Sequence, residues 1–205
     1  MKNYIIGYGS LFKKSSLQRT LPDVRRILPI YLHSYVREWN AVEDVTTTFS
    51  TTFLGIQKAK DEKISAIIFE VEEYMLPIID SREFLYTRDI VEHKDIEFIR
   101  DTLKIDSKDR VWIYITNRPS QPSEKNPIIQ SYVDTCISGC LEIEKEFKID
   151  DFAQEFINTT KKWSQHWVND RIFPRAPHIH QPDAYVIDKL LNKNIEQYFS
   201  KIEIE

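Results

Sequence analysis

Two apolar periodicities divide this chain, and they follow one another instead of alternating. Up to Thr116, β-branched and aromatic residues gather in short runs bounded by polar turns. Segments 27–39, 46–57, 64–71, 86–91 and 110–116 therefore read as strands. From Ile128 onward the spacing is helical: Ile129, Tyr132, Val133, Cys136, Ile137, Cys140 and Leu141 recur at i, i+3 and i+4. Strands first and helices later do not build alternating βαβ units. The order predicts an α+β fold with a mainly antiparallel sheet or barrel.

The punctuation refines this reading. Residues 58–63 are polar and read as the turn of a hairpin joining 46–57 to 64–71, with 43–48 as a loop at its entrance. Residues 13–21 read as a short helix that Pro22 ends, with Ser15 or Ser16 as N-cap. Segment 72–84 shifts to helical spacing, with Met75, Ile78 and Ile79 on one face and Pro77 in the first turn. Residues 94–104 fit neither period. The three prolines of 117–127 mark a loop and a candidate flap. Residues 150–167 read as one or two helices anchored by Phe152, Phe156, Trp163 and Trp167, and 184–191 and 195–199 as short helices. The expected division is a domain over 1–147 with a helical extension over 148–205 packed on it.

Composition removes several function classes. A net charge of −4 disfavours nucleic acid as partner, and no stretch approaches the length of a membrane span. Met1-Lys2-Asn3 leads straight into a strand-like run, unlike a secretory leader, so the expected location is the cytoplasm. Cys136 and Cys140 are one helical turn apart in an apolar stretch and read as buried thiols, neither a disulfide nor a metal pair. His178 and His180, among prolines, are the only candidate metal pair; the expectation is no metal and no cofactor. Nothing in the chain specifies an oligomeric state.

Chemistry concentrates at two places. The apolar run Tyr4-Ile5-Ile6 runs into Gly7-Tyr8-Gly9-Ser10-Leu11-Phe12, which holds two of the four glycines. Glycine lets a ligand approach the backbone, and successive N–H groups in such a turn can cradle an anion. A dinucleotide fingerprint would need a third glycine where Phe12 stands. The second place is Glu83, amid Phe84, Leu85 and Tyr86. Apolar company raises a carboxyl pKa and suits a general base near neutral pH. The competing reading is a surface glutamate paired with Arg82 or Arg88. No Ser-His or Cys-His arrangement offers a nucleophile.

Together, Tyr8-Gly9-Ser10-Leu11 after an N-terminal strand and Asp80-x-Arg82-Glu83-x-x-Tyr86 resemble the gamma-glutamylcyclotransferase superfamily, nearest its glutathione-specific branch. Pro119-Ser120 or Pro122-Ser123 with Tyr132 is similar to a further element of that family. The chain lacks the glycine expected beside Tyr86 in that branch. The resemblance covers residues 4–141 and implies a small barrel flanked by helices, with turn and glutamate facing one cavity. It implies a lyase or transferase in which the α-amine of a γ-glutamyl group attacks its own γ-carbonyl, giving 5-oxoproline and a released amine. Glu83 is then the general acid/base. Tyr8, Gly9, Ser10 and Leu11 hold the γ-glutamyl moiety, and Tyr86 and Tyr132 join them as substrate-binding residues. Arg37, with Trp39, is read as a further cavity residue, against a buried strand arginine paired with an acid. Backbone donors suit either the substrate carboxylate or the oxyanion. The implied partner is a small γ-glutamyl compound. The alternatives are a non-catalytic binding protein on the same fold and an enzyme that removes a γ-glutamyl group in a biosynthetic pathway.

Overall fold

The N-terminal run Asn3–Gly7 (β1) is buried at every position, which an apolar strand tolerates only in the middle of a sheet. A computed structural model, describing residues 1–24, 26–43, 50–175 and 183–204, places it there. Its neighbours are Thr51–Val71 (β3), antiparallel, and Arg110–Thr116 (β6), parallel. Ile27–Glu43 (β2) pairs antiparallel with β3 along its length, from Ile27↔Phe69 to Glu43↔Thr51. Tyr86–Ile90 (β4) runs antiparallel to β6, and Ile96–Phe98 (β5) antiparallel to β2. The short segments Ile128–Ile129 (β7), Thr160–Lys161 (β8), Trp167–Asn169 (β9) and Glu203–Ile204 (β10) add parallel pairings.

The fold is thus α+β, with the long ladders antiparallel. The strand order β10-β9-β7-β3-β1-β6-β4, with β2 branching from β3, is an open path. Among the described residues no ladder joins its ends, so the hydrogen-bonded ring of a closed barrel is not formed.

The expected hairpin at 58–63 is not formed. One strand, β3, runs through it and pairs with β2, not with itself. The polar residues mark a solvent-facing bulge: Lys58 pairs with Tyr35 and Lys63 with His33, so Ala59–Glu62 bulge out opposite Ser34. Asp61 and Ser34 both take positive φ there, 65° and 66°. Of the neighbouring segments read as loop and strand, residues 44–49 lie outside the described residues.

The helices are Lys14–Thr20 (α1), Leu76–Arg82 (α2), Gln130–Phe147 (α3), Phe152–Thr159 (α4) and Ala184–Phe199 (α5). Neither Ser15 nor Ser16 caps α1. Glu142 of α3 does so from a distance, accepting the Lys14 N–H at 3.0 Å and pairing with Lys13 Nζ at 2.9 Å. Pro77 sits in the first turn of α2 as expected, but Ile78 faces solvent, and Met75, Leu76 and Ile79 make the buried face. Residues 160–169 form two strands and no second helix. The i, i+4 spacing of Trp163 and Trp167 is met instead by a bent chain that stacks their rings at 5.1 Å. The two short helices expected at the C-terminus are met: α5 comprises two helical stretches on either side of a kink, with non-helical backbone at Ile195.

Two contacts lock these layers. Asp170, after β9, accepts the Ser131 N–H at 2.7 Å and the Ser131 hydroxyl at 2.6 Å, while Arg171 grips Asp134 through Nε and Nη2 at 2.7 and 2.8 Å. Both carboxylates are buried, and they tie residues 148–175 to the start of α3. Gly139 is the second lock. A Cβ there would stand 2.4 Å from the Lys13 backbone nitrogen and 2.5 Å from the Phe12 carbonyl carbon. Gly139→Ala should therefore lower stability by about 1–3 kcal/mol through overpacking, against about 1 kcal/mol of helix propensity regained. Thermal unfolding checks this, and a midpoint equal to or above the parent's would contradict the packing. Cys136 and Cys140 are free, fully buried thiols in the same helix.

Candidate active site

After Gly7 the chain leaves the sheet in a single 3-10 turn, Ser10–Phe12. Phe12 anchors it, its ring edge-on to Phe152 and Phe156 at 5.7 and 5.9 Å. The Phe12 and Lys13 N–H groups close the turn onto the Gly9 and Ser10 carbonyls at 2.9 and 3.3 Å. The N–H groups of Gly9, Ser10 and Leu11 come before the first N–H that the turn bonds, that of Phe12, and among the described residues they donate to no backbone carbonyl. These three residues line a small cavity together with Glu83, Tyr86, Tyr114 and Tyr132.

Glu83 ends α2, its side chain only 18% exposed. Burial raises its pKa; the Arg82 guanidinium, with Nε 3.4 Å from Oε1, opposes the rise without cancelling it. Both sequence readings of this residue are thus partly met: it touches Arg82, yet it faces the cavity. Burial lifts the phenols of Tyr8, Tyr86 and Tyr132 well above their ordinary range, and Tyr114 as well, so all four stay neutral. Three of their protons are engaged elsewhere. Tyr8 donates to the Tyr114 carbonyl at 2.6 Å, Tyr86 to the Leu54 carbonyl at 2.8 Å, and Tyr114 to Asp80 at 2.8 Å. Among the described residues no hydroxyl donates to Glu83, so its carboxylate faces the cavity with acceptor capacity to spare. A base beside undonated backbone N–H groups can take a proton while a neighbouring negative oxygen is held.

Of the residues singled out in the sequence, Tyr8, Gly9, Ser10, Leu11, Glu83, Tyr86 and Tyr132 line this one cavity. Arg37 does not line it. Fully buried, the guanidinium uses all five N–H donors: Nε on Thr160 Oγ1, Nη1 on the Tyr8 and Ser65 carbonyls, Nη2 on the Phe156 carbonyl and Thr159 Oγ1. No donor is left for a substrate, so Arg37 is the buried strand arginine of the competing reading, with carbonyls and threonine hydroxyls in place of the expected acid. It braces the Tyr8 backbone from behind, and desolvation lowers its pKa to about 10. Trp39 is likewise buried, packed behind the Tyr132 ring at 5.9 Å. Pro119, Ser120, Pro122 and Ser123 lie in the 117–127 loop, outside the cavity wall; the Ser120 N–H instead ties the loop to the Asn40 carbonyl at 2.9 Å.

Sequence reasoning missed Leu54 and Tyr114, and it named Ile6 and Gly7 only as the strand end and turn that lead into the site. Tyr114 sits in a strand run that reads as core, and only its alternation with Ile113 and Ile115 hints that it faces the other way from them. His178 and His180 lie outside the described residues. Among those described, no three His, Cys, Asp or Glu side chains cluster as metal ligands, and no helix is long and apolar enough to cross a membrane.

No family model matches this chain, and no curated protein matches it in sequence. Solved structures do. A gamma-glutamyl cyclotransferase aligns over 92% of this chain and 99% of its own, with TM-score 0.57 and 10% identity. An uncharacterized Homo sapiens protein aligns over 91% of this chain and 98% of its own, with TM-score 0.57 and 10% identity. YkqA from Bacillus subtilis aligns over 75% of this chain and 52% of its own, with TM-score 0.52 and 13% identity. The chain has the gamma-glutamyl cyclotransferase fold.

Proposed function

We propose that this protein is a cyclotransferase that converts a γ-glutamyl peptide or amine to 5-oxoproline and the released amine. The observation that carries the reading is that Glu83 lines one small cavity with Gly9, Ser10 and Leu11, whose N–H groups donate to no backbone carbonyl among the described residues. Every residue lining that cavity lies within 6–132, so residues 1–147 carry the chemistry and 148–205 support it.

The reaction needs no nucleophilic side chain. The substrate enters with its α-amine as an ammonium. Glu83 takes one proton and frees the nitrogen lone pair, which attacks the γ-carbonyl carbon. The ring C–N bond forms, the oxyanion collapses, and the bond to the leaving nitrogen breaks as Glu83 returns its proton there. The ammonium loses two protons in becoming a lactam N–H, and the released amine leaves with two more than it had as an amide, so the carboxylate is regenerated. Because attack is intramolecular, folding the substrate into reach supplies much of the acceleration. The tyrosine walls shape that fold without titrating. The turn's N–H groups serve the α-carboxylate or the oxyanion.

The test is release of 5-oxoproline from glutathione and a panel of γ-glutamyl amino acids and amines across pH. Glu83 must be ionised to accept a proton, and its pKa is raised. The acid limb of kcat/KM should therefore fall at a pH above the ordinary glutamate value of about 4.3. An acid limb at or below that value would remove Glu83 from the role. Ligand-induced thermal stabilisation without turnover would favour a binding protein.

A further inference from the structure

Resting on that reading, we propose that the depression beside the inner cavity is the leaving-group subsite, selecting an amine that carries a bulky apolar side chain and a free carboxylate. The wall between the two spaces is the segment 83–86. Glu83 and Tyr86 line the inner cavity, whereas Phe84 and Leu85 line a wider, separate hollow completed by Ala41, Val42, Thr116, Asn117 and Arg118. The two spaces also meet at the cross-strand pair Tyr86↔Thr116, one residue lining each.

Reaction geometry directs the leaving group over this wall. The nitrogen that departs must lie within reach of Glu83, which protonates it. Its substituents then extend past Glu83, whose chain neighbour Phe84 lines the hollow. That ring is 63% exposed, an unusual placement for a phenylalanine at the rim of a cavity. It offers a face for an apolar or aromatic side chain. Arg118 also lines the hollow, is exposed and makes no ion pair among the described residues, so its guanidinium is available to a carboxylate.

The hollow is framed by backbone, not by loose side chains. The Asn117 N–H donates to the Leu85 carbonyl at 3.2 Å, and the Ser120 N–H to the Asn40 carbonyl at 2.9 Å. A bridge joins Ala41 to Pro119. The start of the 117–127 loop is thereby fixed against β2 and the end of α2, which holds Arg118 in the same hollow as Phe84.

The experiment compares kcat/KM for γ-glutamyl-phenylalanine, γ-glutamyl-alanine and γ-glutamyl-phenethylamine, the last lacking the carboxylate. The parent should favour phenylalanine over alanine by about tenfold or more, and phenylalanine over phenethylamine by about threefold to tenfold. Phe84→Ala should collapse the first ratio toward one, with Phe84→Leu between, and Arg118→Gln should collapse the second. Both side chains are exposed, so the variants keep the fold. Turnover of all three conjugates at equal kcat/KM, or ratios that the variants leave intact, would overturn the subsite while leaving the cyclotransferase reading standing. No 5-oxoproline from any conjugate would overturn both.

Discussion

Glu83→Gln should slow 5-oxoproline release by orders of magnitude and, at neutral pH, make the fold more stable. Glutamine keeps the shape and removes the base, so the rate should fall by about 10²–10⁴-fold, the range that general acid–base catalysis supplies. The stability gain follows from the direction of the Glu83 shift. Burial raises its pKa in the folded state. Below the ordinary glutamate pKa, folded and unfolded chains are both protonated there, and the group contributes nothing. As pH rises through the folded pKa, the native chain must ionise a carboxylate inside the cavity, which costs stability. Glutamine never ionises. The variant's unfolding midpoint should therefore exceed the parent's at pH 7 and converge with it near pH 4. A lower midpoint at pH 7 would mean that the Arg82 contact at 3.4 Å outweighs desolvation.

Arg37→Met should be the most damaging single change to the scaffold. Methionine fills much of the space and removes a buried cation, which taken alone relieves a desolvation cost. It also strips partners from three carbonyls and two threonine hydroxyls. The hydroxyls recover: Thr159 and Thr160 still donate to the Glu155 and Phe156 carbonyls. The acceptors at Tyr8 and Ser65 lose a charged donor, at about 1–3 kcal/mol each, and the ring of Phe156 loses the guanidinium 4.1 Å from its centroid. A net loss of about 3 kcal/mol is expected, which in a chain of this size lowers the midpoint by about 6–12 °C. Activity should fall with it, because the Tyr8 backbone is part of the cavity wall. A variant with the parent's midpoint and only a raised KM would instead place Arg37 in contact with substrate.

The sequence carried the site further than it carried the sheet. Local chemistry was readable: the glycine turn after β1 and the apolar surroundings of Glu83 are properties of a few adjacent residues. The bounds of β6 were readable for the same reason, since alternating apolar residues stop at Thr116. Pairing is not local. Residues 58–63 look like a hairpin turn because polarity reports exposure, and a solvent-facing bulge in one long strand has the same composition. Arg37 shows the limit most plainly. An arginine in a strand run suggests an acid or a ligand, and nothing nearby announces that its acceptors come from Tyr8, Ser65 and a helix end over a hundred residues away. Gly55 and Gly139 were equally mute: each is required by what crosses it, Thr116 and Asn40 in one case and the Phe12–Lys13 backbone in the other.

The measurement that bears most directly on the central claim is the identity of the product formed in water enriched in oxygen-18. Intramolecular attack by the α-amine, with Glu83 relaying the proton, predicts 5-oxoproline that carries no label from the solvent. Glutamate bearing one solvent oxygen would show that water, not the substrate's own amine, attacks the γ-carbonyl, and would contradict the mechanism.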